Sequence, residues 1–421
     1  MIRFYNGRVL SFSRGLDISD SELWTDGPVI SYIGPKCEDA PAFERQIDLQ
    51  GDLIIPGFKN AHTHTPMVFL RSMADDLPLK RWLEELCWPK EAQLTDEACY
   101  ALTKLGVMEY LSSGITSVFE MYGHTSSVAQ AFMDCGFRSV FCSGMNDFDR
   151  DPTQIERDYL KLNSSGDLVS YMLGIHGEYT TSPDRLEYMV SLIKKYKTPA
   201  FTHLCETKGE VEGCVSRYGM TPPRFLDSIG FYEYGGGGYH CVWMSDEDIK
   251  LLADRQLYAV TNPASNLKLA SGIAPVTKLM RAGVKVAIGT DGAASNNALD
   301  FFREMYLTCV LQHIYENDAA ACPPHQVLKM ACVNGAEAMG LDSCNDLAPG
   351  KKADLVIINL LRPNMQPIND IASNIVLSGS KENVRLTMVN GKVLYENGEF
   401  HIGADPDELY AEANAIVKSI K

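Results

Sequence analysis

The sequence predicts an α/β fold: a (β/α)8 TIM barrel over residues 57–349, with a small β-sandwich domain built from residues 1–56 and 350–421. Three observations predict it. Eight apolar, strand-like runs recur between segments of helical periodicity, which is the alternation of a parallel sheet. Side chains able to bind metals or move protons fall at the ends of those runs, where a barrel keeps its chemistry. Both ends of the chain read instead as short alternating strands with turns.

The elements follow in order. Residues 2–5, the turn dipeptide Asn6-Gly7 and residues 8–12 read as the first strands of the small domain. The eight barrel runs are residues 53–58, 116–120, 139–142, 171–176, 200–203, 238–241, 257–261 and 284–291. Between them Ser245 is placed to cap a helix over residues 246–255, and a proline pair opens another over 323–339. The glycine run 235–238 has no following Lys-Ser/Thr, so it reads as a flexible loop feeding the sixth strand and not as a phosphate cradle. Residues 353–359 form a further strand. Asn390-Gly391, between apolar runs 383–389 and 392–395, signals a hairpin.

Composition narrows the function classes. The 421 residues are 45% hydrophobic and 22% charged, which suits a chain with ample core. A net charge of −16 repels phosphate backbones and anionic membrane surfaces, so nucleic acid and membrane are not expected partners. No apolar stretch approaches the ~20 residues of a membrane span. The N-terminus lacks a basic flank followed by an apolar signal region, and the twelve cysteines are scattered without a CxxC. The expected compartment is the reducing cytoplasm.

The candidate site comes from position. His62 and His64 follow the first run, Glu120 the second, His176 the fourth, His203 the fifth, His240 the sixth and Asp291 the eighth, so five of nine histidines gather on one rim. His62-Thr63-His64 sets two imidazoles on one side of an extended segment. With His203, His240 and Asp291 converging, the set fits a borderline divalent ion such as zinc.

Residues 56–64 (Pro-Gly-Phe-Lys-Asn-Ala-His-Thr-His), 202–207, His240-Cys241, 262–269, 289–295 and 349–355 together resemble the amidohydrolase superfamily. Within it they are similar to the mononuclear aminohydrolases that include 5′-methylthioadenosine/S-adenosylhomocysteine deaminases and triazine hydrolases. The resemblance implies that His62, His64, His203 and Asp291 hold one divalent metal ion, zinc before Fe2+ or Mn2+. It gives Glu206 the proton transfer, Asp291 the proton of the attacking water, and His240 the orientation of that water. Binuclear members carry a bridging lysine after the fourth strand, and residues 171–178 contain none. By the same resemblance His176 meets a purine ring and Glu91 the ribose hydroxyls. Trp82 reads as pocket wall or core, and Ser295 as a partner of a ring nitrogen or a loop cap. Glu120 would orient a ligand histidine or pair with a cation, and His124 and Met121 would touch substrate or lie on a surface loop.

The activity so implied is hydrolytic deamination of an adenosine-type nucleoside (5′-methylthioadenosine, S-adenosylhomocysteine, 5′-deoxyadenosine or adenosine) to the inosine analogue and ammonia. The alternatives are a hydrolase of guanine, pterin, cytosine or chlorotriazine, or a non-catalytic scaffold of the same fold. A small-molecule substrate and a homo-oligomer are expected. Members that accept S-adenosylhomocysteine place arginines just after the third strand; here Ser143 stands about where one belongs. Asp147, Asp149 and Asp151 surround Arg150, with Arg157 beyond, which predicts preference for an uncharged 5′ substituent.

Overall fold

The computed structural model describes residues 1–13, 15–73, 77, 79–149 and 151–420. Eight parallel strands lie side by side in chain order: β1 Phe58–Thr63, β2 Ile115–Glu120, β3 Arg138–Cys142, β4 Val169–Gly177, β5 Ala200–Leu204, β6 Gly236–His240, β7 Tyr258–Thr261 and β8 Lys285–Ile288. The seam between β8 and β1 is bridged at the rim. Asp291 N–H donates to the His62 carbonyl at 3.0 Å, and the Asn60 amide oxygen accepts from Thr290 N–H at 2.9 Å. Phe119, Val140, Phe201, Tyr239, Val260 and Ala287 fill the interior, so the barrel is a packed core and its chemistry is left to the rim. Outside it, Ser245 caps the helix Asp246–Asp254 through a capping box with Asp248, as expected.

Two expected elements change. The run 53–58 divides at Gly57: Leu53–Pro56 pairs with Leu355–Ile358 in another sheet, and β1 starts at Phe58. A Cβ on Gly57 would lie 2.1 Å from Thr116 Cγ2, so the chain passes between the sheets only where it has no side chain. The glycine run is not a slack loop either. Gly236, Gly237 and Gly238 are buried strand residues of β6, paired with Ala200, Phe201 and Thr202 of β5. A Cβ on Gly236 would sit 1.8 Å from the Ala200 carbonyl oxygen, and one on Gly237 2.3 Å from that of Tyr258. Close backbone approach on both sides, not flexibility, requires glycine there.

The terminal segments build two sheets. One has four strands, Val29–Gly34, Glu22–Asp26, Ile2–Tyr5 and Arg45–Asp48; the other has seven, in the order Glu399–Phe400, Lys392–Glu396, Val384–Val389, Leu355–Ile358, Leu53–Pro56, Arg8–Ser11 and Asp17–Asp20. Phe4, Leu23 and Ile30 of the first share a core with Val9, Ile54, Leu355 and Leu386 of the second, which makes the expected sandwich. Asn390-Gly391 turns the predicted hairpin, with Val389 opposite Lys392. Asn6-Gly7 does not fold one strand back on the other. It carries the chain between layers, because Ile2–Tyr5 and Arg8–Ser11 lie in different sheets.

A buried ion pair joins sandwich and barrel. Arg138, at the start of β3, holds both oxygens of Asp354 at 2.6 and 3.1 Å, and Asp354 accepts from Gly57 N–H through its carbonyl. Lys59 is buried beside them, its Nζ donating to Thr116 Oγ1 at 2.6 Å. Burial lowers its pKa while Asp354 opposes that shift. The twelve cysteines are free thiols, eleven of them buried. No helix among the described residues is long and apolar enough to cross a membrane.

Gly235 and Gly236 both hold left-handed φ values, +87° and +121°, but a Cβ on Gly235 meets nothing within 4 Å. Gly236→Ala should therefore lower the unfolding free energy by about 2 kcal/mol more than Gly235→Ala, an ordinary overpacking cost, measured by urea unfolding. Equal losses would mean that crowding against β5 does not set this position.

Candidate active site

The C-terminal rim brings the histidines together with Asp291. The His62 and His64 rings are 4.8 Å apart, as are those of His62 and His203, and His240 stands 5.4 Å from His203. His62 lies flat on Tyr239 at 3.9 Å. Two sets have ligand atoms within 4.8 Å of one another, His62 with His203 and His240, and His62 with His64 and Asp291. His62 belongs to both, which makes it the pivot of the cluster.

The outer nitrogens fix the rings. Nδ1 of His64 donates to the Met121 carbonyl, and Nδ1 of His203 to the His176 carbonyl at 2.6 Å. Nδ1 of His240 meets Asn266 Oδ1 at 2.7 Å. A carbonyl can only accept, so each Nδ1 carries a proton and turns Nε2 to the centre; at His64 burial lowers the pKa but the Asp291 carboxylate beside Nε2 raises it, to about 9. This is how a protein prepares imidazoles for a metal. His62 is fully buried and has no hydrogen-bond partner on either nitrogen. An orphaned buried imidazole costs stability unless something binds it, and a divalent ion on Nε2 would meet that need. Burial and the neighbouring imidazoles hold His62 and His203 well below the usual histidine range, as neutral ligands must be.

Asp291 faces this set, its Oδ1 3.2 Å from His64 Nε2 and 3.6 Å from His62 Nε2, its Oδ2 4.0 Å from His240 Nε2. Gly292 N–H donates to Oδ1 at 2.8 Å, and the Ser265 and Ser295 hydroxyls to Oδ2 at 2.6 and 2.9 Å. Burial acts to raise its pKa, but the contact with His64 and the charge of the histidines hold it well below the carboxylate range. Glu206, 3.8 Å from His240 Nε2, behaves oppositely: burial raises it, and Asp291 adds to the rise. Two carboxyls pushed apart beside one cluster supply a proton acceptor and a proton donor.

The substrate-side candidates fall around it. His176 lies 4.6 Å from His203 with Nδ1 3.0 Å from Thr180 Oγ1, and burial pushes it down to about 4. Burial raises Glu91, in the helix Trp88–Glu91, to about 7 against the pull of Tyr122, His64 and His124. Trp82 is buried with its indole N–H unpartnered. Ser295 does not stand free for a ring nitrogen, because its hydroxyl is held by Asp291. Among the described residues Glu120 bonds neither a histidine nor a cation; its carboxylate accepts from Thr65 N–H at 3.0 Å and pins the segment after His64. His124 is half-buried against Asp96 at 2.7 Å, and Met121 is buried, its carbonyl holding His64.

Residues 53–394 match the family model described as amidohydrolase family. The chain belongs to the amidohydrolase family. It is 40% identical over 363 residues to the 5′-deoxyadenosine deaminase of Methanothermobacter thermautotrophicus, covering 85% of each chain. It is 38% identical over 404 residues to the 5-methylthioadenosine/S-adenosylhomocysteine deaminase of Pyrococcus furiosus, covering 94% of this chain and 95% of that one. A solved adenosine deaminase from Xanthomonas campestris with bound zinc superposes with a TM-score of 0.95 at 30% identity, covering 100% of this chain and 98% of that one.

This amidohydrolase also uses residues to which its sequence assigned no role. Ser265 and Asn266, on the helix Pro263–Lys268 after β7, orient Asp291 and His240. Their position at a strand end was the available signal. Glu210 accepts from Cys205 and Glu206 N–H at 2.7 and 2.8 Å and so sets the backbone of Glu206. Glu304 accepts from Ala264 N–H at 3.1 Å and Asn296 Nδ2 at 2.8 Å, tying the segments after β7 and β8 together.

Burial raises the Glu304 carboxyl to about 8. The folded protein therefore holds a proton there that the unfolded chain releases above its ordinary pKa of 4.5. The unfolding free energy should fall as pH rises from about 5 to 8, since the native state binds more protons than the unfolded state. Glu304→Gln should flatten that slope by up to ~1.4 kcal/mol per pH unit. Parallel stability profiles for the two proteins would contradict this.

Proposed function

We propose that this amidohydrolase removes the 6-amino group of an adenosine-type nucleoside by hydrolysis, releasing ammonia and the inosine analogue. The observation that carries the reading is the pair Glu206 and Asp291, with opposed pKa shifts, 3.8 and 4.0 Å from His240 Nε2. The deaminase relatives at 38–40% identity support an adenine nucleoside as substrate. His62, His64, His203 and Asp291 are the proposed ligands of one divalent ion, zinc by the imidazole-rich donor set. Such an ion lowers the pKa of a water to about 7.

The chain's own groups do the rest. Asp291, held ionised, accepts a proton from the attacking water. His240, its Nδ1–H fixed on Asn266, turns Nε2 toward that water and steadies it. Glu206, whose pKa burial raises toward the protonated form, gives a proton to the ring nitrogen beside the attacked carbon, so no ring anion forms. The water oxygen is then bonded to that carbon as a hydroxyl; the carbon–amino bond breaks as the amino group takes the proton from Asp291 and leaves as ammonia, while the hydroxyl proton passes to Glu206, which restores its carboxyl and leaves the keto product. His176 lies where it can bond the purine, and Glu91, raised to about 7, can both donate to and accept from a ribose diol. Trp82 closes the pocket wall.

Ammonia release should be seen with 5′-methylthioadenosine, 5′-deoxyadenosine or adenosine, and Glu206→Gln should lower kcat by ~10²-fold or more, the scale of general acid–base catalysis. Release only from guanine, a pterin or an aminotriazine would overturn the nucleoside reading. An unchanged rate in Glu206→Gln would remove Glu206 from the proton transfer.

A further inference from the structure

The residues assigned above meet the base, the ribose and the reacting atoms, and none of them meets the 5′ substituent. On the rim, Phe148 is 68% exposed, the second most exposed of the large hydrophobic side chains after Ile314. Its ring lies 4.8 Å from that of Trp88, tilted by 47°. The loop that presents it is not slack. Asn146 N–H donates to Asp149 Oδ2 at 2.9 Å, Phe148 N–H to Asn146 Oδ1 at 2.8 Å, and Asp147 N–H to the Thr180 carbonyl at 2.9 Å. A turn tied down this firmly, yet holding a phenyl ring in water, leaves hydrophobic stabilisation unused until an apolar group covers the ring.

The position of the pair says what covers it. Trp88 stands three residues before Glu91 in one helical turn, so the two share a face. On the other side, Met145 accepts from His176 N–H at 2.9 Å, which joins the Phe148 loop to the base-binding candidate. Trp88 and Phe148 therefore bridge the segments proposed for ribose and base.

The charge around the pair is acidic. Asp147 and Asp149 flank Phe148. Arg185 reaches Asp147 at 3.4 Å and the Asp149 carbonyl at 2.7 Å, with its buried Nη1 left without a hydrogen-bond partner, and Arg157 is taken up by Asp151. Ser143, buried, hydrogen-bonds the Gly174 carbonyl at 2.7 Å and offers nothing to a substrate. Arg150 lies outside the described residues.

We infer that Trp88 and Phe148 are specificity-determining residues that receive the 5′ substituent and select a small, uncharged, apolar group, methylthio before an amino-acid tail. The inference rests on the nucleoside deaminase reading. It is tested by kcat and KM for 5′-methylthioadenosine, 5′-deoxyadenosine and S-adenosylhomocysteine in the wild type, Phe148→Ala, Trp88→Ala and Phe148→Leu. Phe148→Ala should raise KM for 5′-methylthioadenosine ~10-fold with kcat within about twofold, the discrimination a hydrophobic pocket gives for a small apolar group. KM for 5′-deoxyadenosine, which has no further 5′ group to place against the rings, should stay within about twofold, and Phe148→Leu should keep most of the affinity. An unchanged KM for 5′-methylthioadenosine in both alanine variants, an equal rise for all substrates, or a wild-type preference for S-adenosylhomocysteine would overturn the assignment while ammonia release upheld the deaminase. A wild type that deaminates no adenine nucleoside would overturn both.

Discussion

Asp291 is the residue on which both the barrel and the site depend. Its backbone N–H closes the seam onto the His62 carbonyl, while its carbonyl accepts from the Thr63 and Thr290 hydroxyls at 3.0 and 2.9 Å. Its φ of +59° is a left-handed conformation that a non-glycine residue adopts at a cost of about 1–3 kcal/mol. The surrounding bonds hold it there and aim the carboxylate at three imidazoles. Closing the last gap in the barrel and assembling the centre are thus one event. Cys205, after β5, and His240, ending β6, share the left-handed backbone at φ +53° and +70°, so the unusual conformations gather where the chemistry is.

From that anchor the rest is arranged by carbonyls. Strand ends present their C=O groups to neighbouring imidazoles, so the Met121 carbonyl turns His64 and the His176 carbonyl turns His203. The backbone that makes the barrel thereby chooses the tautomers. Glu120, Thr65 and Tyr110 form a buried network beneath, with Thr65 Oγ1 at 2.9 Å and Thr63 Oγ1 at 2.7 Å from the tyrosine hydroxyl. It fixes the residues on either side of His64 and, through the Thr63 hydroxyl, reaches the Asp291 backbone carbonyl.

The sequence made the centre legible because its key spacing is local. His62 and His64 obey the two-residue period of a strand, and His203, His240 and Asp291 end apolar runs that only a parallel sheet explains. What could not be read depends on contacts made only on folding. Glu304 reaches Ala264 across forty residues, and no pattern within either segment announces it. The glycines of β6 looked like a loop because their reason lies in the Ala200 and Tyr258 carbonyls on adjacent strands. Asn6-Gly7 carries the chemistry of a hairpin turn yet crosses between layers, since the partners of its flanking strands are supplied by residues 22–26, 45–48 and 53–56. Ser295 illustrates a third limit. A hydroxyl four residues after Asp291 can serve a substrate or the carboxylate itself, and the helical turn Ala293–Asn296 decides for the carboxylate.

His62 concentrates the central claim, since the metal proposal gives a partner to a buried imidazole that has no hydrogen bond on either nitrogen. Elemental analysis of the purified protein and of His62→Ala, read beside ammonia release and thermal stability, tests it most directly. The account predicts one divalent ion per chain in the wild type, with ion and deamination lost together in the variant while the barrel still folds. Two ions per chain at full occupancy, or an ion-free protein that still releases ammonia, would contradict it.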